Sequence, residues 1–197
     1  MNTFVSIWIK FFFLLTPFFV LSMFLALTQK LSEKERRGLA VRVTWAVVLT
    51  SFALFFFGNA LFRVFGITVD AFRVGAGVLL FLSAVDLVRG DPSSRAMLQE
   101  GDIAVVPLAV PITIGPATTG ALLVMGADVS SPAERAVGCA GLLAALLCVS
   151  GMLFAAASVE RLIGKQGLII LSKLTGLVLA ALAAQIVFTG VRGLLAA

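Results

Sequence analysis

Six apolar stretches, at 7–28, 43–62, 71–88, 102–127, 134–157 and 168–190, fill most of this 197-residue chain, and the short segments between them carry most of its charge. A helix crossing a bilayer core about 30 Å thick takes about 20 apolar residues. Six such spans use about 120 positions, which leaves connections and no second, water-soluble domain. Lipid-exposed backbone must satisfy its own hydrogen bonds, and no period-2 alternation of a barrel is present, so the spans are read as helices. With 60% hydrophobic and 13% charged residues, and a mean hydropathy of +1.11, the chain lies far from the roughly 45–50% and 25% of soluble proteins. Met1 to Thr28 has the features of a signal peptide, with Lys10 ahead of an apolar run, but the spans that follow make it an uncleaved first helix.

Several chemistries are excluded. There is no histidine, so imidazole metal ligands, histidine bases and Ser-His-Asp triads are out of reach. Cys139 and Cys148 are nine residues apart in one predicted helix, which places them on opposite faces. No phosphate-binding loop, dinucleotide fingerprint or Cys-x-x-Cys motif is present. The chain is therefore expected to have no catalytic residues, no cofactor and no metal centre, and not to be an enzyme. Its net charge of +5 is not gathered on a soluble face, so membrane topology explains it better than nucleic acid does.

The chain repeats itself. Shifting the sequence by 99 residues places Pro17 on Pro116, Ser32 on Ser131, Glu35 on Glu134, Arg36 on Arg135, Gly77 on Gly176 and Asp86 on Gln185. This predicts one membrane domain over 1–197 built as two three-helix repeats, 1–90 and 100–197, joined through the polar segment 90–101. Three is an odd number of spans, so the second repeat enters the membrane from the other side and the halves are inverted. Connections one, three and five hold ten cations: Lys30, Lys34, Arg36, Arg37, Arg42, Arg89, Arg95, Arg161, Lys165 and Lys173. The other side holds five: Lys10, Arg63, Arg73, Arg135 and Arg192. The positive-inside rule puts the ten in the cytoplasm and both termini outside.

The first span of each half is interrupted by proline. Thr16-Pro17 sits in the middle of the first apolar run, and Pro107, Pro111, Gly115 and Pro116 crowd into ten residues of the fourth. Proline removes a backbone donor and clashes with the preceding turn. The freed carbonyls and half-helix amide ends of two inverted halves are the sequence pointer to a transport site. The hydroxyls of Thr16, Thr113, Thr118 and Thr119 lie close by in sequence. Asp86 is the carboxylate expected inside a span, where an ionisable group is costly and a functional suspect; it could carry a proton or bind a cation, or simply reach the headgroups near Arg89. Gln185, its repeat mate, could hydrogen-bond substrate or only another helix. Arg73 and Lys173 are expected to snorkel. Gly176, Ala180 and Ala184 form a small-residue stripe for close helix packing, and a homodimer is the assembly such stripes suggest.

The segment Asp102-Ile-Ala-Val-Val-Pro-Leu-Ala-Val-Pro-Ile-Thr-Ile-Gly-Pro116 resembles the Pro-Leu-Ala-x-Pro-x-x-x-Gly-Pro signature of the MarC family of membrane proteins. Phe65-Gly66-Ile67, the glycines Gly75 and Gly77, and the Gly176 to Gly190 ending are similar to that family too. The resemblance covers nearly the whole chain. Where many members have Asn-Pro-x-Gly-x-x-Pro in the first span, this chain has Thr16-Pro17-Phe18-Phe19-Val20-Leu21-Ser22. The resemblance implies a six-span protein of a bacterial inner membrane, within the LysE-type exporter superfamily, in a group labelled neutral amino acid transporters.

The sequence is thus read as an all-α polytopic membrane protein, and as a secondary transporter of small polar metabolites. Small neutral amino acids are the leading substrates, coupled to protons or sodium. The expected substrate site comprises Thr16, Pro17, Pro111, Thr113, Gly115, Pro116, Thr118, Thr119 and Gln185, with Asp86 for the coupling ion. The alternatives are an exporter of cations or metal ions, for which Asp86 and threonine hydroxyls are a thin ligand set, and a non-transporting membrane scaffold.

Overall fold

The computed structural model describes residues 3–29, 31–90, 108, 112–129 and 131–196, and these contain no strand. Among the described residues seven helices follow one another: α1 (Thr3–Leu14), α2 (Pro17–Leu27), α3 (Glu33–Phe65), α4 (Val69–Arg89), α5 (Pro116–Ala127), α6 (Pro132–Phe154) and α7 (Ala156–Ala196). Counting α1 and α2 as one interrupted span, five segments among the described residues are long and apolar enough to cross a membrane. The 12-residue α5 is the shorter end of the predicted fourth span. The rest of that span is described only at 108 and 112–115, while Pro107, Pro111 and the join 91–101 lie outside the described residues.

Local chemistry sets the helix ends, and positions 99 apart do it in the same way. Ser32 opens α3 by accepting from the Glu35 N–H, with the Glu35 carboxylate returning to the Ser32 N–H. Ser131 opens α6 by accepting from the Glu134 N–H at 3.2 Å. Each cap satisfies an amide that the helix leaves unpaired. Pro17 and Pro116 each occupy the first turn of their helix, where a missing N–H costs nothing. Gly66 and Gly90 close α3 and α4 in the left-handed conformation. The last helix is longer than the predicted span because it includes the preceding connection: Gly164, with φ 74° and ψ 161°, breaks it into two arms, a backbone geometry that glycine tolerates.

The bundle is held by close backbone approaches at small residues, as expected where lipid removes any hydrophobic drive between helices. Helices α4 and α7 run antiparallel. A Cβ on Gly77 would sit 2.6 Å from the Val187 side chain and 3.1 Å from the Ala183 carbonyl, and one on Gly176 would sit 2.9 Å from both the Ala84 carbonyl and the Val88 side chain. The pairs 77 and 176, 84 and 183, and 88 and 187 all differ by 99, so this seam is reciprocal. Gly176, part of the small-residue stripe, is thus used inside the chain. The α3–α5 seam is as tight: a Cβ on Gly58 would strike the Leu123 carbonyl, and one on Gly126 the Phe55 carbonyl.

These contacts give the bundle two ends. The terminal face carries the start of α1, the α3–α4 turn, the α5–α6 turn and the end of α7, where Gly190 and Gly193 lie against Asp70. The opposite face carries the α2–α3 connection, Gly90 and the short arm of α7. Buried residues of α1, α2, α3, α5 and α6, among them Phe11, Phe24, Phe55, Leu122 and Leu146, form one continuous core.

Gly126→Ala is expected to destabilise the chain by about 1–3 kcal/mol, because the added methyl meets a backbone carbonyl that cannot turn aside. Gly38→Ala, with open space around it, is expected to be neutral or stabilising by up to about 1 kcal/mol. Thermal unfolding in detergent checks the pair, and equal melting temperatures would contradict the packing.

Candidate functional site

A break in a membrane helix exposes backbone groups, and here two such breaks face one space. In the first, the Leu15 N–H ends α1 on the Phe11 carbonyl and the Thr16 N–H bonds the Phe13 carbonyl, while the Thr16 carbonyl accepts the Val20 N–H and starts α2. The whole turn is made at Thr16, with φ 46° and ψ 54°. It is the one described residue other than glycine with a positive φ. A β-branched residue there is an outlier that costs about 1–3 kcal/mol and is held by its surroundings. With 12 residues in α1 and 11 in α2, each arm is about 16–18 Å long at 1.5 Å per residue, so the break falls near the middle of the span.

The second break ends in the extended Gly115 and the proline that starts α5. Just before it, Leu108, Ile112 and Thr113 belong to a π-helical turn, a form often found at functional positions. The two breaks touch: the Thr118 hydroxyl on α5 donates to the Leu14 carbonyl at the end of α1, 3.3 Å away. The carbonyl left over by one broken helix is thus satisfied by a side chain of the other.

Between the breaks and the opposite face lies a cavity of about 770 Å³. Thr16 and the Gly115–Thr118 turn form its inner end, and Phe19, Ser22, Met23 and Ala26 of α2 form one wall. Leu80, Ser83, Asp86 and Leu87 of α4 and Leu168, Ile169, Ser172 and Lys173 of α7 form the others. Its mouth is charged, with Gln29, Arg36, Glu160 and Lys165 around it. The amides of the first turn of a helix have no partner within it, so the α2 and α5 N-termini both bring partial positive charge to the inner end. Asp86 supplies a negative charge on the α4 wall. The Arg36 guanidinium is held at the mouth by donating to the Thr28 carbonyl at 3.1 Å, with its Nε buried and unpartnered.

Of the residues singled out from sequence, Thr16, Asp86, Gly115, Pro116 and Thr118 line this cavity together. Pro17 is buried beside it and makes the break without lining the space. Thr113 is buried and donates to the Leu108 carbonyl at 2.7 Å. Thr119 is half-buried, with its N–H on the Gly115 carbonyl. Gln185 is exposed on α7, away from the cavity. Pro111 lies outside the described residues. The mouth residues Glu160 and Lys165 were not foreseen. They flank the bend at Gly164, and a glycine inside a predicted connection was the available signal.

Comparison with known proteins decides the family. The model for MarC family integral membrane proteins matches residues 1–195. The chain belongs to the MarC family. Among its MarC relatives, a UPF0056 membrane protein of Methanocaldococcus jannaschii is 35% identical, with 93% of each chain covered. One of Aquifex aeolicus is 31% identical, covering 98% of this chain and 94% of its own. The UPF0056 membrane protein YvbG of Bacillus subtilis is 27% identical over 96% of this chain and 94% of its own. No solved structure matches. The chain is a multi-pass integral membrane protein, and the Gly-Pro that ends its MarC signature stands at the inner end of the cavity.

Thr16→Gly is expected to stabilise the chain by about 1 kcal/mol, since glycine adopts the left-handed turn without strain. A melting temperature lowered by this substitution would contradict the geometry of the break.

Proposed function

We propose that this MarC-family chain is a secondary transporter of small polar metabolites, with small neutral amino acids the leading substrates, working by alternating access of two inverted halves. The observation that carries the proposal is the meeting of two proline-initiated helix ends at one cavity whose wall also carries a carboxylate, Asp86. An aminoacyl zwitterion suits it: the amide ends of α2 and α5 attract a carboxylate, and Asp86 attracts an ammonium group. The cavity volume is in the range of about 300–1,000 Å³ found for small-molecule sites.

Several features support the inverted halves. Pro17 and Pro116 start corresponding helices, Ser32 and Ser131 cap corresponding helices, and the α4–α7 seam is reciprocal under the same shift of 99. Corresponding helices α4 and α7 run antiparallel, as inverted repeats require. The cavity extends toward the face of the α2–α3 connection and the short arm of α7, where Lys34, Arg36, Arg37, Arg89, Arg161 and Lys165 stand, so the positive-inside rule has this state facing the cytoplasm of a bacterial inner membrane, with both termini outside. Asp86, on the cavity wall that Ser83 and Ser172 also line, is the residue for a coupling proton or sodium ion.

The test is counterflow in liposomes with a labelled panel of small neutral amino acids, under imposed proton or sodium gradients, with Pro116→Ala and Thr118→Ala as variants. Saturable, gradient-sensitive flux that falls at least tenfold in the variants is expected. Absence of flux from folded protein under every gradient would remove the amino acid assignment. Ligand-free cation flux under the same gradients would instead favour a cation exporter, with Asp86 and Glu160 as its oxygen ligands.

A further inference from the structure

The end of the bundle away from the cavity is closed by charge. On the terminal face, Arg73 of α4 donates to Asp70 one turn earlier and to Asp128 at the end of α5, an ion-paired cluster that joins the two proposed halves. The Arg73 side chain is 19% exposed. Gly190 and Gly193 of α7 press against Asp70 from the other side, so α4, α5 and α7 converge there. Burial pushes the Asp128 carboxyl up, Arg73 pulls it down, and Asp70 adds to the upward push. Desolvation and attraction thus oppose one another, as they do in many partly buried pairs.

The shift of 99 gives this cluster a counterpart. Arg73 corresponds to Ser172, Asp128 to Gln29 and Asp70 to Ile169. All three counterparts line the cavity on the opposite, open face. The elements correspond as well, since Arg73–Asp128 joins α4 to the end of α5, and Ser172 and Gln29 lie on α7 and just beyond α2. In place of a bond across the cavity, the Ser172 hydroxyl donates to the Leu168 carbonyl of its own helix at 2.8 Å.

We infer that Arg73 and Asp128 form the latch that shuts the terminal face, and that Gln29 and Ser172 are the corresponding, uncharged closure of the opposite face. The inference rests on the alternating-access reading of the cavity and adds its gate residues. A charged latch on one face and a neutral one on the other bias the resting chain toward the state seen here, open at the opposite face. Loosening the first latch, or charging the second, shifts the population the other way.

The experiment reads accessibility. Cys139 and Cys148 are replaced by serine, Ser83→Cys serves as a reporter in the cavity wall, and a membrane-impermeant maleimide is applied from each face of vesicles of both orientations. The parent is expected to label from the opposite face. Arg73→Gln and Asp128→Asn are each expected to raise labelling from the terminal face at least tenfold. Gln29→Asp combined with Ser172→Arg, which builds the ion pair on the open side, is expected to slow labelling from the opposite face by a similar factor. Monodisperse elution in detergent accompanies each variant, and the combined variant tests the inference should the terminal-face variants not fold. Unchanged rates in every folded variant, while transported substrate still exposes the reporter to the terminal face in the parent, would overturn the latch and leave the transport reading standing. A reporter never reached from the terminal face in any variant or with any substrate would overturn both.

Discussion

Everything in this structure depends on the rule that a backbone group inside a bilayer must find a partner. An unbroken helix obeys it alone, whereas a broken one does not. Pro17 and the Gly115-Pro116 pair break two helices, so the broken ends are forced inward, toward one another and toward a space that water or a solute can fill. The contact between the Thr118 hydroxyl and the Leu14 carbonyl is the direct expression of that constraint. The cavity follows from it, because the two helix ends cannot close against each other without burying their free amides unpaired.

The second requirement is that such a bundle stay together while its broken helices share a cavity. Here the glycines matter more than the phenylalanines. Gly77 and Gly176 let α4 and α7 touch backbone to backbone along a reciprocal seam, while Gly58 and Gly126 do the same for α3 and α5. Large side chains such as Phe56, Phe57 and Phe188 are exposed on the bundle surface, where lipid is their solvent. A seam made of small residues, with little interlocking of long side chains, is a surface on which one group of helices can turn against another.

Much of this was legible in the chain itself. Apolar length located the first, second, third, fifth and sixth spans, and the shift of 99 paired residues that perform matching tasks in the structure, such as Ser32 and Ser131 at helix starts. The proline at position 17 located the break, although only the fold shows that Thr16 takes the whole turn in a left-handed conformation. The site was legible in part. Thr16, Gly115, Pro116, Thr118 and Asp86 share a cavity, while Thr113 spends its hydroxyl on its own segment and Gln185 points away. Such distinctions depend on which face of a helix meets which neighbour, and a nearly uniform apolar sequence carries no periodic signal for that. Arg36 and Lys165 read as ordinary connection cations, and only the bend at Gly164 and the return of α3 bring them, together with Glu160, to one mouth.

The central claim is that two inverted halves move against each other around the broken helices. Paired spin-label distances test it most directly, with one pair across the opposite face at positions 89 and 161 and one across the terminal face at 67 and 133, in a chain freed of its own cysteines. Reciprocal change is the result expected under substrate or an imposed gradient: the first distance shortens as the second lengthens. Two distances that stay fixed, or that move together under every condition, would contradict it.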